Sequence, residues 1–189
     1  MKGVVAIVCF SLALLSACAS QPVEKRKYTL HPIATETGIR GTATIALGKV
    51  ELAPYLRHEG IVIETSAGEV INAKHNLWAE SLSYSVRRYL QVQLRQSLGS
   101  PVLLHATKSD DVAQTVDVLI HQLHGTESGT VMLVASWQVH SSDSDAVSIE
   151  SEYVATEKLS VDGYPALVQG HKLLLNALAK EMATAISGD

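Results

Sequence analysis

Val116-Asp117-Val118-Leu119-Ile120, Val131-Met132-Leu133-Val134-Ala135-Ser136-Trp137 and Val147-Ser148-Ile149-Glu150-Ser151-Glu152-Tyr153 decide how this chain folds. Apolar side chains recur at every second position, which is the period of a strand that buries one face and wets the other. The stretch Gly125-Thr126-Glu127-Ser128-Gly129 lies between the first two segments, and Ser141-Ser142-Asp143-Ser144-Asp145 between the last two. Small and polar connections of that kind predict three antiparallel strands in a meander with one wet face.

Upstream, Thr42-Ala43-Thr44-Ile45-Ala46-Leu47 and Val50-Glu51-Leu52 also alternate, but the apolar positions switch from odd to even numbers. One extra residue is needed at the join, so Gly48-Lys49 is a predicted β-bulge. Pro54-Tyr55-Leu56 ends this strand, and Ile61-Val62-Ile63 with Glu69-Val70-Ile71 predict a hairpin about Ser66-Ala67-Gly68. Behind Asn76, the residues Trp78, Leu82, Val86, Leu90, Leu94 and Leu98 recur every four positions, with Tyr89 and Val92 widening the stripe. This is the pattern of a long amphipathic helix, stopped at Gly99-Ser100-Pro101, with Arg87, Arg88 and Arg95 largely off the apolar side. Val102-Leu103-Leu104-His105 reads as a short strand and Asp110-Asp111 as a turn. A second helix starts near Pro165 and carries Leu167, Leu174, Leu175, Leu178, Met182 and Ile186 on one side. Runs of strands with two helices inserted, without strict alternation, predict an α+β fold. The expected architecture has two layers: an antiparallel or mixed β-sheet with two long amphipathic helices packed on one face.

The chain has 189 residues, a formal charge of −4 and two cysteines, Cys9 and Cys18. From Ala19 onward it is thiol-free, which excludes a disulfide framework, Cys-ligated zinc and a thiolate nucleophile from the folded part. The net negative charge offers no nucleic-acid footprint. Lys2 precedes an uncharged run from Val4 to Leu15 that is too short to span a bilayer and fits the apolar region of a signal peptide. Leu15-Ser16-Ala17-Cys18 resembles the lipobox of bacterial lipoprotein precursors. That resemblance implies cleavage after residue 17, a diacylglyceryl thioether on Cys18 and an N-acyl chain such as palmitate on its amine. Two or more acyl chains anchor stably where one anchors marginally. The residue after the cysteine is Ala19 in place of the aspartate that marks inner-membrane retention, so the expected site is the periplasmic face of the outer membrane. Residues 18–27, with the charged run Glu24-Lys25-Arg26-Lys27, read as a tether, and residues 28–187 as one domain with order beginning at Tyr28-Thr29-Leu30.

No HExxH, GxSxG, phosphate loop or GxGxxG occurs. His121 and His124 are three apart, which on a continuous strand puts them on opposite faces. His171 falls on the apolar stripe of the last helix and reads as a hydrogen-bonded core histidine. Glu150 and Glu152 share one face of a strand, and Asp143 and Asp145 share a loop. A two-carboxylate hydrolase needs its acids across a cleft, whereas these read as a solvated face. Residues 19–107 carry a net +3 and residues 108–189 a net −8, with the excess acid between Asp143 and Glu157. Asp143, Asp145, Glu150 and Glu152 are therefore candidates either for docking a basic protein surface or simply for solubility. No metal, cofactor or nucleic-acid site is expected.

Several patches resemble the PqiC-type lipoproteins, a family of ABC-type transport auxiliary components. They are Leu52-Ala53-Pro54-Tyr55-Leu56 with Ile61-Val62, Asn76-Leu77-Trp78-Ala79-Glu80, the helix end at Leu98-Gly99, the strand Val131 to Trp137 and Tyr164-x-x-Leu167-Val168. Two places depart from the family's pattern: Arg57-His58-Glu59-Gly60 after Pro-Tyr-Leu, and Ser81 after Trp-Ala-Glu. The resemblance implies a non-enzymatic lipoprotein that serves lipid trafficking and envelope integrity. Its implied partners are a periplasmic conduit of the mammalian-cell-entry (MCE) type and, through it, an inner-membrane permease; self-association is left open. Tyr55, Leu56 and Arg57 become candidate partner contacts, and Pro54, Trp78, Ala79 and Glu80 a structural motif; the aromatics Tyr55 and Trp78 are each open to an interface or a core role. Trp78 is expected in the core and Glu80 in the first turn of the helix, where its charge suits the dipole. The competing reading is a domain that itself holds an acyl chain between sheet and helices.

Overall fold

The computed structural model describes residues 23–32, 45–104, 112–141 and 147–188. In chain order its elements are β1 (Arg26–Tyr28), β2 (Ile45–Leu52), a 3₁₀ turn (Pro54–Leu56), β3 (Gly60–Glu64), β4 (Val70–Trp78), α1 (Leu82–Leu98), β5 (Val102–Leu103), β6 (Gln114–Thr126), β7 (Thr130–Ser141), β8 (Val147–Lys158) and α2 (Tyr164–Ser187). The three alternating segments form the antiparallel meander β6–β7–β8, with Val118 opposite Trp137 and Trp137 opposite Ser151. Each strand is longer than its alternating core. The other edge of β6 pairs in parallel with β2 and then with β3; β5 lies beyond β2, and β4 and β1 lie beyond β3. The sheet is thus mixed and eight-stranded among the described residues.

Alternation decides which face the helices cover. Val116, Val118, Ile120, Leu133, Ala135, Trp137 and Val139 are buried, while the residues between them are partly or fully exposed. Both helices pack on that buried face, α1 over β2 and β5 and α2 over β6, β7 and β8, and they also pack on each other. Leu90, Leu94, Leu175, Leu178 and Met182 fill the space between layers with no exposed surface. Tyr89 links the two helices through its hydroxyl, which donates to Lys172 O at 3.2 Å or to Asn176 Oδ1 at 3.0 Å. At Gly170 of α2 the helix lies so close to the sheet that a Cβ would sit 2.5 Å from Val131 Cγ2. Only glycine fits there.

The predicted bulge is present: the register of β2 against β6 shifts between Leu47 and Val50. The β3–β4 hairpin pairs Ile63 with Ile71 as read, and Gly99 ends α1 in the left-handed conformation. Three boundaries differ from expectation. The first described strand begins at Arg26, inside the stretch read as tether, because Arg26 and Lys27 pair with Asn76 and Leu77 of β4. Asn76 and Trp78 belong to β4 and not to the helix. The backbone there is claimed by the sheet, with Trp78 N–H donating to Glu59 O at 2.7 Å and Ala79 N–H to Tyr28 O at 2.8 Å. Ser81 then caps α1, its hydroxyl accepting from Tyr84 N–H at 3.4 Å. Trp78 keeps the four-residue spacing because the last strand residue points into the same core that Leu82 enters.

Candidate functional site

The Pro-Tyr-Leu motif repairs a break in the sheet. β2 and β3 follow the same edge of β6 in the same direction, but the ladder stops at Leu52–Ile120 and resumes at Ile63–Gly125. A buried carbonyl left bare in between would cost the desolvation of an unmade hydrogen bond. Ala53 N–H donates to Ile120 O at 2.9 Å and closes the first ladder. Pro54, with φ fixed by its ring, opens the 3₁₀ turn, and Leu56 drops into the core with no exposed surface. Tyr55 lies across the break and its hydroxyl donates to His121 O at 3.0 Å. Burial, and then the nearby Glu64 carboxylate, push the Tyr55 hydroxyl up to about 12, so it stays a donor near neutral pH. Arg57 turns back to donate from Nε to Leu52 O at 2.9 Å. Of the three candidate partner contacts in this motif, Leu56 is therefore corrected to a core residue. Tyr55 is half-buried and committed to the sheet, and Arg57 alone is fully on the surface.

Two histidines complete the repair. β6 carries a bulge between Ile120 and Gln122, so His121 is the extra residue, and its Nε2 lies 2.9 Å from Ser136 Oγ. His124 is buried, with Nδ1 3.1 Å from Gly125 O and Nε2 3.2 Å from Glu64 Oε2. Both of its neighbours, a backbone carbonyl and a carboxylate, are acceptors. The two side chains take different partners and do not converge. Among the described residues no group of three or more His, Cys, Asp or Glu side chains is arranged to hold a metal ion.

The face of the sheet away from the helices gathers acid. Register places Glu51, Leu119, Ser136 and Glu152 in one cross-strand row and Asp117, Gln138 and Glu150 in the next. Glu150 and Glu152 are exposed on β8, as their spacing predicted, and Glu150 Oε1 accepts from Gln138 Nε2 at 2.9 Å. Glu51 and Asp117 join them only through strand pairing, so the sequence pattern had missed both. Asp117 Oδ1 accepts from Lys49 N–H at 2.6 Å, and its Oδ2 is 3.6 Å from His140 Nε2. Asp143, Asp145 and Cys18, where lipidation is expected, lie outside the described residues. Arg57 is two or more strands away from Glu150 and Glu152, so the candidate contacts divide between the two edges of β6.

The Trp-Ala-Glu motif joins the end of β4 to the cap of α1. Trp78 is 5 % exposed and its ring centroid is 5.7 Å from that of His171. Ala79 is exposed. Glu80 precedes the Ser81 cap, outside the first turn, and its carboxylate accepts from Ser85 Oγ at 2.7 Å and lies 3.9 Å from His31 Nε2. His171 is fully buried, but among the described residues neither ring nitrogen has a hydrogen-bond partner, against the expectation of a hydrogen-bonded core histidine. Burial, and then repulsion from His124, lower it to about 3 and keep the ring neutral. Arg87, read only as off the apolar stripe, fastens α1 to the sheet by donating from Nη2 to Leu47 O at 3.1 Å and to Leu104 O.

Among the described residues, both helices lie on one face of the sheet and the other face carries the acid. The chain belongs to the ABC-type transport auxiliary lipoprotein component family, which it matches over residues 28–183. It is similar to the intermembrane transport lipoprotein PqiC of Escherichia coli (strain K12), with 26% identity over 183 residues covering 94% of this chain and 93% of that protein. The PqiC lipoprotein of Shigella flexneri matches equally, at 26% identity. Among solved structures, that of an uncharacterized protein superposes with TM-score 0.73 at 23% identity, covering 86% of this chain and 99% of the other. A Xanthomonas campestris protein superposes with TM-score 0.67 at 11% identity, covering 86% of this chain and 96% of its own. These two likenesses bear on the fold, which is α+β. No helix among the described residues is long and apolar enough to cross a membrane.

Proposed function

We propose that this protein is a non-enzymatic periplasmic lipoprotein, anchored in the outer membrane through a diacylglyceryl and N-acyl chain on Cys18. In this role it docks an MCE-type conduit, and through it an inner-membrane permease, in an intermembrane lipid transport system that supports envelope integrity. Family membership over residues 28–183 carries the reading. The geometry supports it: Tyr55, His121, His124 and Glu64 are used up in closing the sheet, while Glu51, Asp117, Glu150 and Glu152 face solvent or its margin on the uncovered side. A basic strand or loop of the conduit is the surface that such a row selects and steers. The test is crosslinking in intact cells. A photoreactive residue at position 150 or 152 captures the MCE-type protein, deletion of the gene sensitises cells to detergent, and Cys18→Ser abolishes both anchoring and complementation. Absence of capture together with an intact envelope would overturn the docking role. The competing reading, an acyl chain held between the layers, meets a space already occupied by Trp137, Leu90, Leu94 and Leu175.

A further inference from the structure

Apolar space is found instead at one pole of the domain. A cavity of about 590 Å³ opens between the β3–β4 hairpin, the β6–β7 turn, the β8–α2 loop and the first turn of α2. Ile63, Ile71, Leu159, Tyr164 and Leu167 form its walls, and Gly125 contributes no side chain, since a Cβ there would sit 2.9 Å from Leu167 Cδ1. The volume falls in the range of small-molecule sites. Ile71 and the neighbouring loop residue Val161 are 47% and 66% exposed, so apolar surface extends outward from the cavity.

The chain's N-terminal segment arrives at the same pole. β1 runs parallel to β4, with Arg26 beside Asn76, so the residues before Arg26 head toward the start of β4, where Ile71 lines the cavity. Val23, Glu24 and Arg26 line an adjoining cleft with Asp162, Gly163 and Tyr164, and the last three also line the cavity. Cys18 precedes Val23 by five residues, a reach of at most ~17 Å when extended. The rim carries Glu127 and Asp162, and the arriving segment Glu24-Lys25-Arg26 carries a net positive charge of one, which favours the approach.

We infer that this cavity holds one of the acyl chains carried by Cys18, while the remaining chains stay in the bilayer. The inference rests on the lipoprotein reading proposed above. It gives the domain a fixed attitude to the membrane, with the hairpin tip and the β8–α2 loop against the lipid and the tether drawn in.

The test uses the full-length chain in living cells fed a diazirine-bearing fatty acid, which enters lipoprotein acyl chains and phospholipids alike. After irradiation, peptide mass spectrometry is expected to find the Cys18 peptide joined to segments containing Ile63–Ile71, Thr126–Gly129 or Leu159–Leu167 of the same chain, identified with mixed light and heavy isotope labelling. Ile71→Asp should remove most of that product. A twenty-residue Gly/Ser insertion between Cys18 and Val23 leaves the folded part untouched and should lower the yield roughly tenfold by diluting the tethered chain. Phospholipid adducts on these segments without the Cys18 crosslink would assign the cavity to bilayer lipid and overturn the inference. A Cys18 peptide crosslinked only to membrane lipid would overturn it as well. A Cys18 peptide bearing no acyl chain would instead refute the lipoprotein reading itself.

Discussion

The two faces of the β6–β7–β8 meander are built from alternate residues of the same strands, yet they do different work. On the helix side Val116, Leu133 and Val139 have no exposed surface, and Trp137 has 1 %. On the other side Leu119 is 37% exposed, Val154 is 67% exposed, and acid collects along β8. Burial stabilises in proportion to the apolar area removed from water, so the helix side contributes most of the stability of the meander. The contrast breaks most sharply on truncation. Leu175→Ala, at a fully buried position of α2, should cost about 2–5 kcal/mol in urea unfolding, whereas Val154→Ala should change stability by no more than about 0.5 kcal/mol. Similar losses at both positions would mean that something covers the open face.

The helix side also holds a pH-sensitive element. His171 is lowered from the ordinary 6.5 to about 3 by burial. Between those values the unfolded chain binds a proton that the folded chain refuses, so stability is lost as pH falls. Each pH unit in that window should remove up to about 1.4 kcal/mol. Urea midpoints measured from pH 8 down to pH 4 should fall more steeply below about pH 6.5 for the natural chain than for His171→Leu, with the two curves parallel above about pH 7. Parallel curves throughout would show that His171 has a polar partner after all.

Alternation made the helix side legible in the sequence, because each buried strand residue there reports its own environment. The bulge at Gly48-Lys49 was legible for the same reason, as a change of parity. The β3–β4 hairpin and the second helix followed from turn residues and Pro165. The start of the first helix was misread because Trp78 ends a strand in phase with Leu82, and periodicity alone does not see the hydrogen bond from Trp78 N–H to Glu59 O. The acid row was half legible: Glu150 and Glu152 share a strand, but Glu51 and Asp117 reach it only through the β2–β6–β7–β8 register. Gly170 gave a signal, a glycine inside a helical pattern, whose cause lies across the layer at Val131.

Between the two faces sits the break in the β6 edge, and a smaller effect tests it. Tyr55→Phe keeps the ring and removes the hydroxyl that donates to His121 O. The expected cost is about 1 kcal/mol in urea unfolding, with faster amide exchange confined to residues 121–124. An unchanged exchange rate there would show that water satisfies the carbonyl and that the motif's tyrosine is held for another purpose.

The smallest effect on stability should accompany a large effect on association. Glu51, Asp117, Glu150 and Glu152 place four carboxylates on one surface, and Glu150 and Glu152, two apart on the same face of β8, repel each other slightly. Glu150→Gln with Glu152→Gln should therefore leave the unfolding midpoint unchanged or raise it a little, since glutamine still accepts from Gln138 Nε2. If the row steers a basic partner, the same pair should slow association and flatten its dependence on salt, with dissociation less affected. Surface plasmon resonance of the lipidated protein against the purified conduit, at two ionic strengths, separates these readings. Salt-insensitive, unaltered association would leave the acid row a matter of solubility and move the search for the interface to Arg57 on the opposite edge.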